Sequence, residues 1–142
     1  MLAQISEFAV NHPYLVIAFA VLLALTFFNE MKIATQRFAS LTPAAAVQLM
    51  NSEDIVLLDV REPSETVGGK IAKAIQIPAG AVATRGGELE KHKSKTLLVY
   101  CKTGARSGQA CKELGKQGFD KVFSLSGGIL AWQEAHLPIS KK

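Results

Sequence analysis

The stretch from Thr96 to Ser107, TLLVYCKTGARS, limits the fold more than any other part of the chain. Leu97, Leu98, Val99 and Tyr100 are a short run of branched and aromatic residues, the composition of a buried strand. Cys101 closes the run, Gly104 follows, and from Arg106 the spacing turns helical. A strand that passes through a tight loop into a helix is the unit of an open α/β sheet, whose ligands sit at the carboxyl ends of the strands. Further apolar runs at Ile55–Leu58, Ala74–Pro78 and Val122–Leu125 alternate with helical segments. One of these starts at Thr42-Pro43, a cap followed by proline at the first helical position. A second runs from Arg106 to Lys116 and ends at Gly118, and a third opens at Gly127-Gly128 and stops at Leu137-Pro138. The expected fold class is therefore α/β, a mainly parallel sheet with helices on both faces.

The loop carries a readable chemistry. If its backbone curls around Cys101, the N–H groups of Lys102, Thr103, Gly104, Ala105 and Arg106 converge on the sulfur as an anion-binding nest. The N-terminus of the following helix adds partial positive charge, and Lys102 and Arg106 add formal charge. Each favours thiolate over thiol, so Cys101 is expected to be a nucleophile of lowered pKa. The alternative is a structural cysteine before an ordinary turn; Gly104, Arg106 and Ser107 with a helix behind them argue against it. Asp59, like Cys101, ends an apolar run, so parallel strands bring both to one edge of the sheet. Asp59, Arg61, Glu62 and Glu65 read as an ion-pair and turn network supporting that edge. Cys111, beside Ala110 and before Leu114, reads as a packing residue.

Three motifs in order resemble the single-domain rhodaneses, a sulfurtransferase family. They are Asp59-Val60-Arg61-Glu62-Pro63, then Cys101-Lys102-Thr103-Gly104-Ala105-Arg106-Ser107, then Leu125-Ser126-Gly127-Gly128 with Trp132 and Leu137-Pro138. The resemblance covers roughly Leu41 to Ile139. It implies Cys101 as the catalytic residue, Lys102 to Arg106 as the substrate loop, and Asp59, Arg61 and Ser107 as supports. Lys70 replaces a histidine common in such chains, and His136 stands where a helix-ending glycine is frequent, a position with some backbone strain for other residues.

The remainder of the chain is apolar at its start. Hydrophobic residues make up 49% of the 142 residues, and the mean hydropathy is +0.20, high for a single soluble domain. Tyr14 to Phe28 contains one polar residue, Thr26. A helix from Pro13 to Phe28 spans about 24 Å and one from Phe8 about 32 Å, against a hydrocarbon core of roughly 30 Å. A cleaved signal peptide would carry a basic start, and residues 1–12 hold no Lys or Arg. A buried core helix is the other alternative, but residues 41–142 already make a complete domain. The expected organisation is a transmembrane anchor over residues 1–30, a polar linker over 31–40 and a rhodanese-like domain over 41–142. Lys32 and Arg37 follow the apolar segment, so the domain is expected on the cytoplasmic side of a single-pass protein.

Composition excludes several other classes. Two cysteines do not make a disulfide framework and fit a reducing compartment. The net charge of +4 comes from scattered lysines without interleaved aromatics, which disfavours nucleic acid as a partner. No histidine pairs with cysteine or carboxylate at a metal-binding spacing. His92, among lysines, reads as solvated surface. No cofactor or metal is expected. The implied activity moves sulfane sulfur from thiosulfate or a similar small anion, through a Cys101 persulfide, to a thiol or cyanide acceptor. Cysteine phosphatases and arsenate reductases are the rival enzyme class, but four residues rather than their usual five separate Cys101 from Arg106. That narrower loop suits one sulfur better than a tetrahedral phosphate. A protein-interaction module at the membrane, with a membrane-protein partner, is the non-catalytic alternative.

Overall fold

Successive side chains of a strand point to opposite faces of its sheet, and Thr96–Tyr100 is buried at every position, so both faces of that strand need covering. The computed structural model describes residues 2–34 and 38–141, which fall into two compact units, Met1–Gln36 and Arg37–Lys142. The first unit holds two helices, α1 (Leu2–Asn11) and α2 (Pro13–Ala34). The second is built on five strands, β1 (Ala39–Leu41), β2 (Ile55–Asp59), β3 (Ile75–Gln76), β4 (Thr96–Tyr100) and β5 (Val122–Leu125). All pair in parallel, in the order β1-β5-β4-β2-β3. Helices α3 (Pro43–Ser52), α4 (Val82–Arg85), α5 (Ala105–Lys116) and α6 (Gly128–Glu134) connect them, with short 3-10 turns between. The expected α/β class and parallel sheet are what the domain has.

Strand parity divides the core in two. Val56, Leu58, Leu97, Val99 and Cys101 face one layer, with Val82 of α4 and Ala110, Cys111 and Leu114 of α5. Leu57, Leu98, Tyr100 and Leu125 face the other, with Ala46 of α3 and Ile129 and Trp132 of α6. Cys111 is thus the packing residue expected, and burial pushes its thiol up to about 12. Helix α3 starts as its sequence predicts: Thr42 Oγ1 accepts from Ala45 N at 3.3 Å, and Pro43 occupies the first turn.

Several details differ from expectation. Strand β1 begins at Ala39, inside the stretch read as linker, and pairs with β5. Strand β3 is two residues long rather than Ala74–Pro78, because the chain turns at Lys73, whose φ is +63°, and leaves the sheet at Pro78. His92 is half-buried, and its Nδ1 is enclosed without a hydrogen-bond partner among the described residues, so it is not solvated surface. His136 does adopt a φ of +55°. Lys70 takes a structural place: its backbone exchanges two hydrogen bonds with Ser140, at 2.9 and 2.7 Å, and ties the C-terminal segment to the domain.

Among the described residues, no helix is long and apolar enough to cross a membrane. The transmembrane helix expected over residues 1–30 is instead two helices that part at His12, as expected for a residue before proline, which avoids the α region. Within α2, every residue from Pro13 to Phe28 is exposed. Arg37, half of the charge bias used to orient the chain, lies outside the described residues, as does the linker at 35–37.

Candidate active site

The parity that puts Val99 on the α5 face carries Cys101 to the same face, at the carboxyl end of β4. Cys101 is fully buried, so its sulfur lies at the floor of the loop that follows. Gly104, with φ at +103°, ends that loop and caps α5, and this left-handed conformation favours glycine. Its N–H donates to Cys101 Sγ at 3.0 Å. Ser107 Oγ lies 3.7 Å from Sγ and donates to Gly104 O at 2.9 Å. Burial alone would push the Cys101 thiol up. The backbone N–H groups of Ser107 and Gly104, then the Ser107 hydroxyl and the Thr103 N–H, outweigh it, and the thiol lies below its ordinary range.

Helix α6 fixes the loop from behind. Ile129 N donates to Cys101 O at 2.9 Å and Leu130 N to Lys102 O at 3.3 Å. These bonds draw the loop carbonyls away from the sulfur. Gly128, φ +60°, permits the approach: a Cβ there would meet Cys101 O and Lys102 O at 2.5 Å.

The supports expected at the start of the domain form one network. Arg61 Nη2 donates to Asp59 Oδ2 at 2.7 Å, and Arg61 Nε lies 3.0 Å from Oδ1. Arg61 also donates to Glu65 O and Gly69 O, at 3.0 and 2.9 Å, so the buried charge is satisfied on every side. Neither residue reaches the sulfur; both hold the segment that presents Glu65. Arg106, expected to add formal charge beside the sulfur as part of the substrate loop, meets a carboxylate: its Nη1 and Nη2 donate to Glu65 Oε2 and Oε1 at 2.6 and 2.7 Å. The Arg106 guanidinium and the Glu62 N–H hold the Glu65 carboxyl down at about 2. Lys102 and Thr103 are exposed, as is Ala105. Lys102, Arg61, Glu65, Leu130 and Gln133 line a cleft of about 220 Å³ beside the loop.

Two residues of the site were not singled out by the sequence. Glu65 appeared only in the turn network, although its spacing from Glu62 across Pro63 is that of a capping box, which it forms. Ser124, whose buried hydroxyl lies 2.8 Å from Ser107 Oγ, is the other; a hydroxyl inside the apolar run Val122–Leu125 is its signal.

The Glu65–Arg106 pair has a defined acid response. The ordinary carboxyl titrates near 4.5 and the folded one at about 2. The pair's contribution to stability is complete above the first value and is lost as pH falls toward the second. Urea midpoints of the parent and Glu65→Gln are expected to differ by a constant amount above pH ~5 and to converge below it. A difference that persists unchanged at pH ~2.5 would contradict the pairing.

The Rhodanese-like domain family matches residues 42–135. A sulfurtransferase of Allochromatium vinosum is 41% identical over 92 residues, which cover 65% of this chain and 84% of that one. The uncharacterized protein YibN of Escherichia coli is 34% identical over 137 residues, 96% of each chain. A thiosulfate sulfurtransferase, GlpE of Pseudoalteromonas translucida, is 29% identical over 99 residues, 70% of this chain and 92% of its own. Among solved structures, a rhodanese-related protein of Thermoplasma volcanium superposes with a TM-score of 0.67 at 30% identity, over 74% of this chain and all of its own. With the family matched across four of the five strands and the cysteine loop, this chain belongs to the rhodanese-like family, whose relatives include proteins named as sulfurtransferases.

Proposed function

We propose that this protein is a rhodanese-type sulfurtransferase with Cys101 as its nucleophile. The observation that carries the proposal is the sulfur held at 3.0 Å by the Gly104 N–H on the floor of a donor-lined loop. In the first half-reaction the Cys101 thiolate attacks the outer sulfur of an anionic donor such as thiosulfate. The donor's S–S bond breaks, sulfite leaves with the electron pair, and Cys101 holds a persulfide. In the second, a thiolate or cyanide attacks the outer sulfur and the Cys101 thiolate is regenerated. The loop N–H groups stabilise the charge on the outer sulfur, and exposed Lys102 attracts the donor. No proton is abstracted, so neither a general base nor a cofactor is needed. A buried sulfur reached through a short loop favours a slender donor with a terminal sulfur over a phosphoryl group. Thiosulfate-to-cyanide transfer is expected in the parent and about a thousandfold or more weaker in Cys101→Ser. Equal rates in the two, or aryl-phosphate hydrolysis faster than sulfur transfer, would overturn the proposal.

A second reading, a protein-interaction module, draws on Leu130, which lines the cleft and is 41% exposed, and on Val67, 78% exposed next to Gly68. Such a surface suits a protein acceptor and is compatible with the transfer chemistry.

We further propose that the apolar N-terminal unit holds the protein at a bilayer, with the domain on the cytoplasmic side. Successive residues of a helix turn by about 100°, so the unbroken exposure from Pro13 to Phe28 leaves apolar side chains on all sides of α2. A helix apolar all round is stable only when surrounded by apolar material. The match to YibN includes this segment, since it takes in 96% of the chain. Membrane fractions are expected to retain the full chain through alkaline carbonate washing and to release a chain lacking residues 1–36. Retention of both, or labelling of Cys101 from outside intact cells, would reverse this part of the proposal.

A further inference from the structure

Ser124 places a hydroxyl where the sheet has apolar neighbours. Strand β5 directs Val122 and Ser124 to the α5 face. Ser124 is 3% exposed and stands beside Val99 in the register of β4. Among the described residues, its one hydrogen-bond partner is Ser107 Oγ, at 2.8 Å. Ser107 Oγ also lies 2.9 Å from Gly104 O and 3.7 Å from Cys101 Sγ.

The protons can be counted. A serine hydroxyl has one proton and two acceptor sites. If Ser107 donated to Ser124, it would have no proton for Gly104 O or the sulfur. The Ser124 proton would then be enclosed without an acceptor, an arrangement polar interiors avoid. Satisfying both hydroxyls makes Ser124 the donor and Ser107 the acceptor. The Ser107 proton then has two destinations, Gly104 O and Sγ, and the charge on sulfur selects between them. A neutral thiol donates to Ser107, whose proton stays with Gly104 O. A thiolate has nothing to donate and draws the Ser107 proton toward itself.

We propose that Ser124 is a positioning residue for the sulfur: by donating to Ser107 Oγ it sets the direction of a two-hydroxyl chain that turns the Ser107 proton to Cys101 Sγ when the sulfur is anionic. The proposal rests on the reading of Cys101 as the nucleophile. A hydroxyl that receives a hydrogen bond is polarised and donates more strongly, so the chain favours thiolate beyond what Ser107 does alone. When the thiolate takes a sulfur atom, the negative charge moves to the outer sulfur, and the Ser107 proton turns back to Gly104 O without leaving its oxygen. The other charged or titratable groups about the sulfur are Lys102 on the loop, Arg106 on α5 with its partner Glu65, the Asp59–Arg61 pair at the end of β2, Tyr100 on β4, and Cys111 on α5, a buried thiol. Among the described residues, none of them is hydrogen-bonded to the Ser124 hydroxyl.

The test is the pH dependence of Cys101 alkylation by iodoacetamide in the full chain, with Ser124→Ala and Ser124→Thr beside the parent. Ser124→Ala is expected to raise the midpoint by about half to one pH unit, making alkylation below it roughly three- to tenfold slower. Ser124→Thr keeps the hydroxyl and is expected to restore the parent midpoint. In a Ser107→Ala background, Ser124→Ala is expected to add nothing. Equal midpoints in the parent and Ser124→Ala, or a full shift by Ser124→Ala in the Ser107→Ala background, would overturn the proposal. Alkylation needs no sulfur donor, so the expected midpoints in a protein without thiosulfate activity would uphold the hydroxyl chain and defeat the sulfurtransferase reading instead.

Discussion

A sulfur atom withdrawn from water is a poor place for negative charge unless hydrogen-bond donors surround it. That constraint shapes the carboxyl edge of this sheet. Cys101 is fully buried, yet its thiol is pushed below the ordinary range by the donors of Thr103, Gly104 and Ser107. For the loop N–H groups to point inward, its carbonyls must point outward and find partners of their own. The N-terminus of α6 supplies them, at Ile129 N and Leu130 N. Only a residue without Cβ can stand at position 128 without displacing the loop. The Gly127-Gly128 signature and the cysteine loop, far apart in sequence, are thus two halves of one device.

The loop is held from its other side by charge. The buried Asp59–Arg61 pair organises the segment to Gly69, and Glu65 on that segment grips Arg106 with two short bonds. Breaking a buried pair by removing one partner commonly destabilises by about 3–5 kcal/mol, so this network belongs to the fold as much as to the chemistry. Glu65 also offsets the Arg106 charge beside the loop, while Lys102 on the loop is exposed. Cys111, on the same helix as Arg106 but packed into the core, stays a thiol because burial acts on it without comparable donors.

Much of this was legible in the chain. Strands β2, β4 and β5 are apolar runs bounded by turn residues, and α5 and α6 follow them with helical spacing, so class, sheet and the place of Cys101 could be read directly. Strand β1 could not: Ala39-Ser40-Leu41 is too short and too polar to signal a strand, and it exists because the β5 edge is open to it. Strand β3 shrinks to two residues because Lys73 adopts a left-handed turn, a conformation that sequence does not announce for lysine. The Arg106 partner was hidden because a contact between residues 41 apart depends on the sheet being assembled first. Ser124 escaped notice for the same reason, since a serine in a strand has meaning only once its neighbour across the layer is known. At the start of the chain, hydropathy suggested one helix, while Pro13 divides it in two.

In the proposed function, Cys101 carries the transferred sulfur. Intact mass measurement after incubation with thiosulfate, followed by peptide mapping, tests it most directly. One added sulfur atom is expected, located on the peptide containing Cys101, removed by cyanide and absent from Cys101→Ser. A folded protein that gains no sulfur, or one that gains it on Cys111, would contradict it.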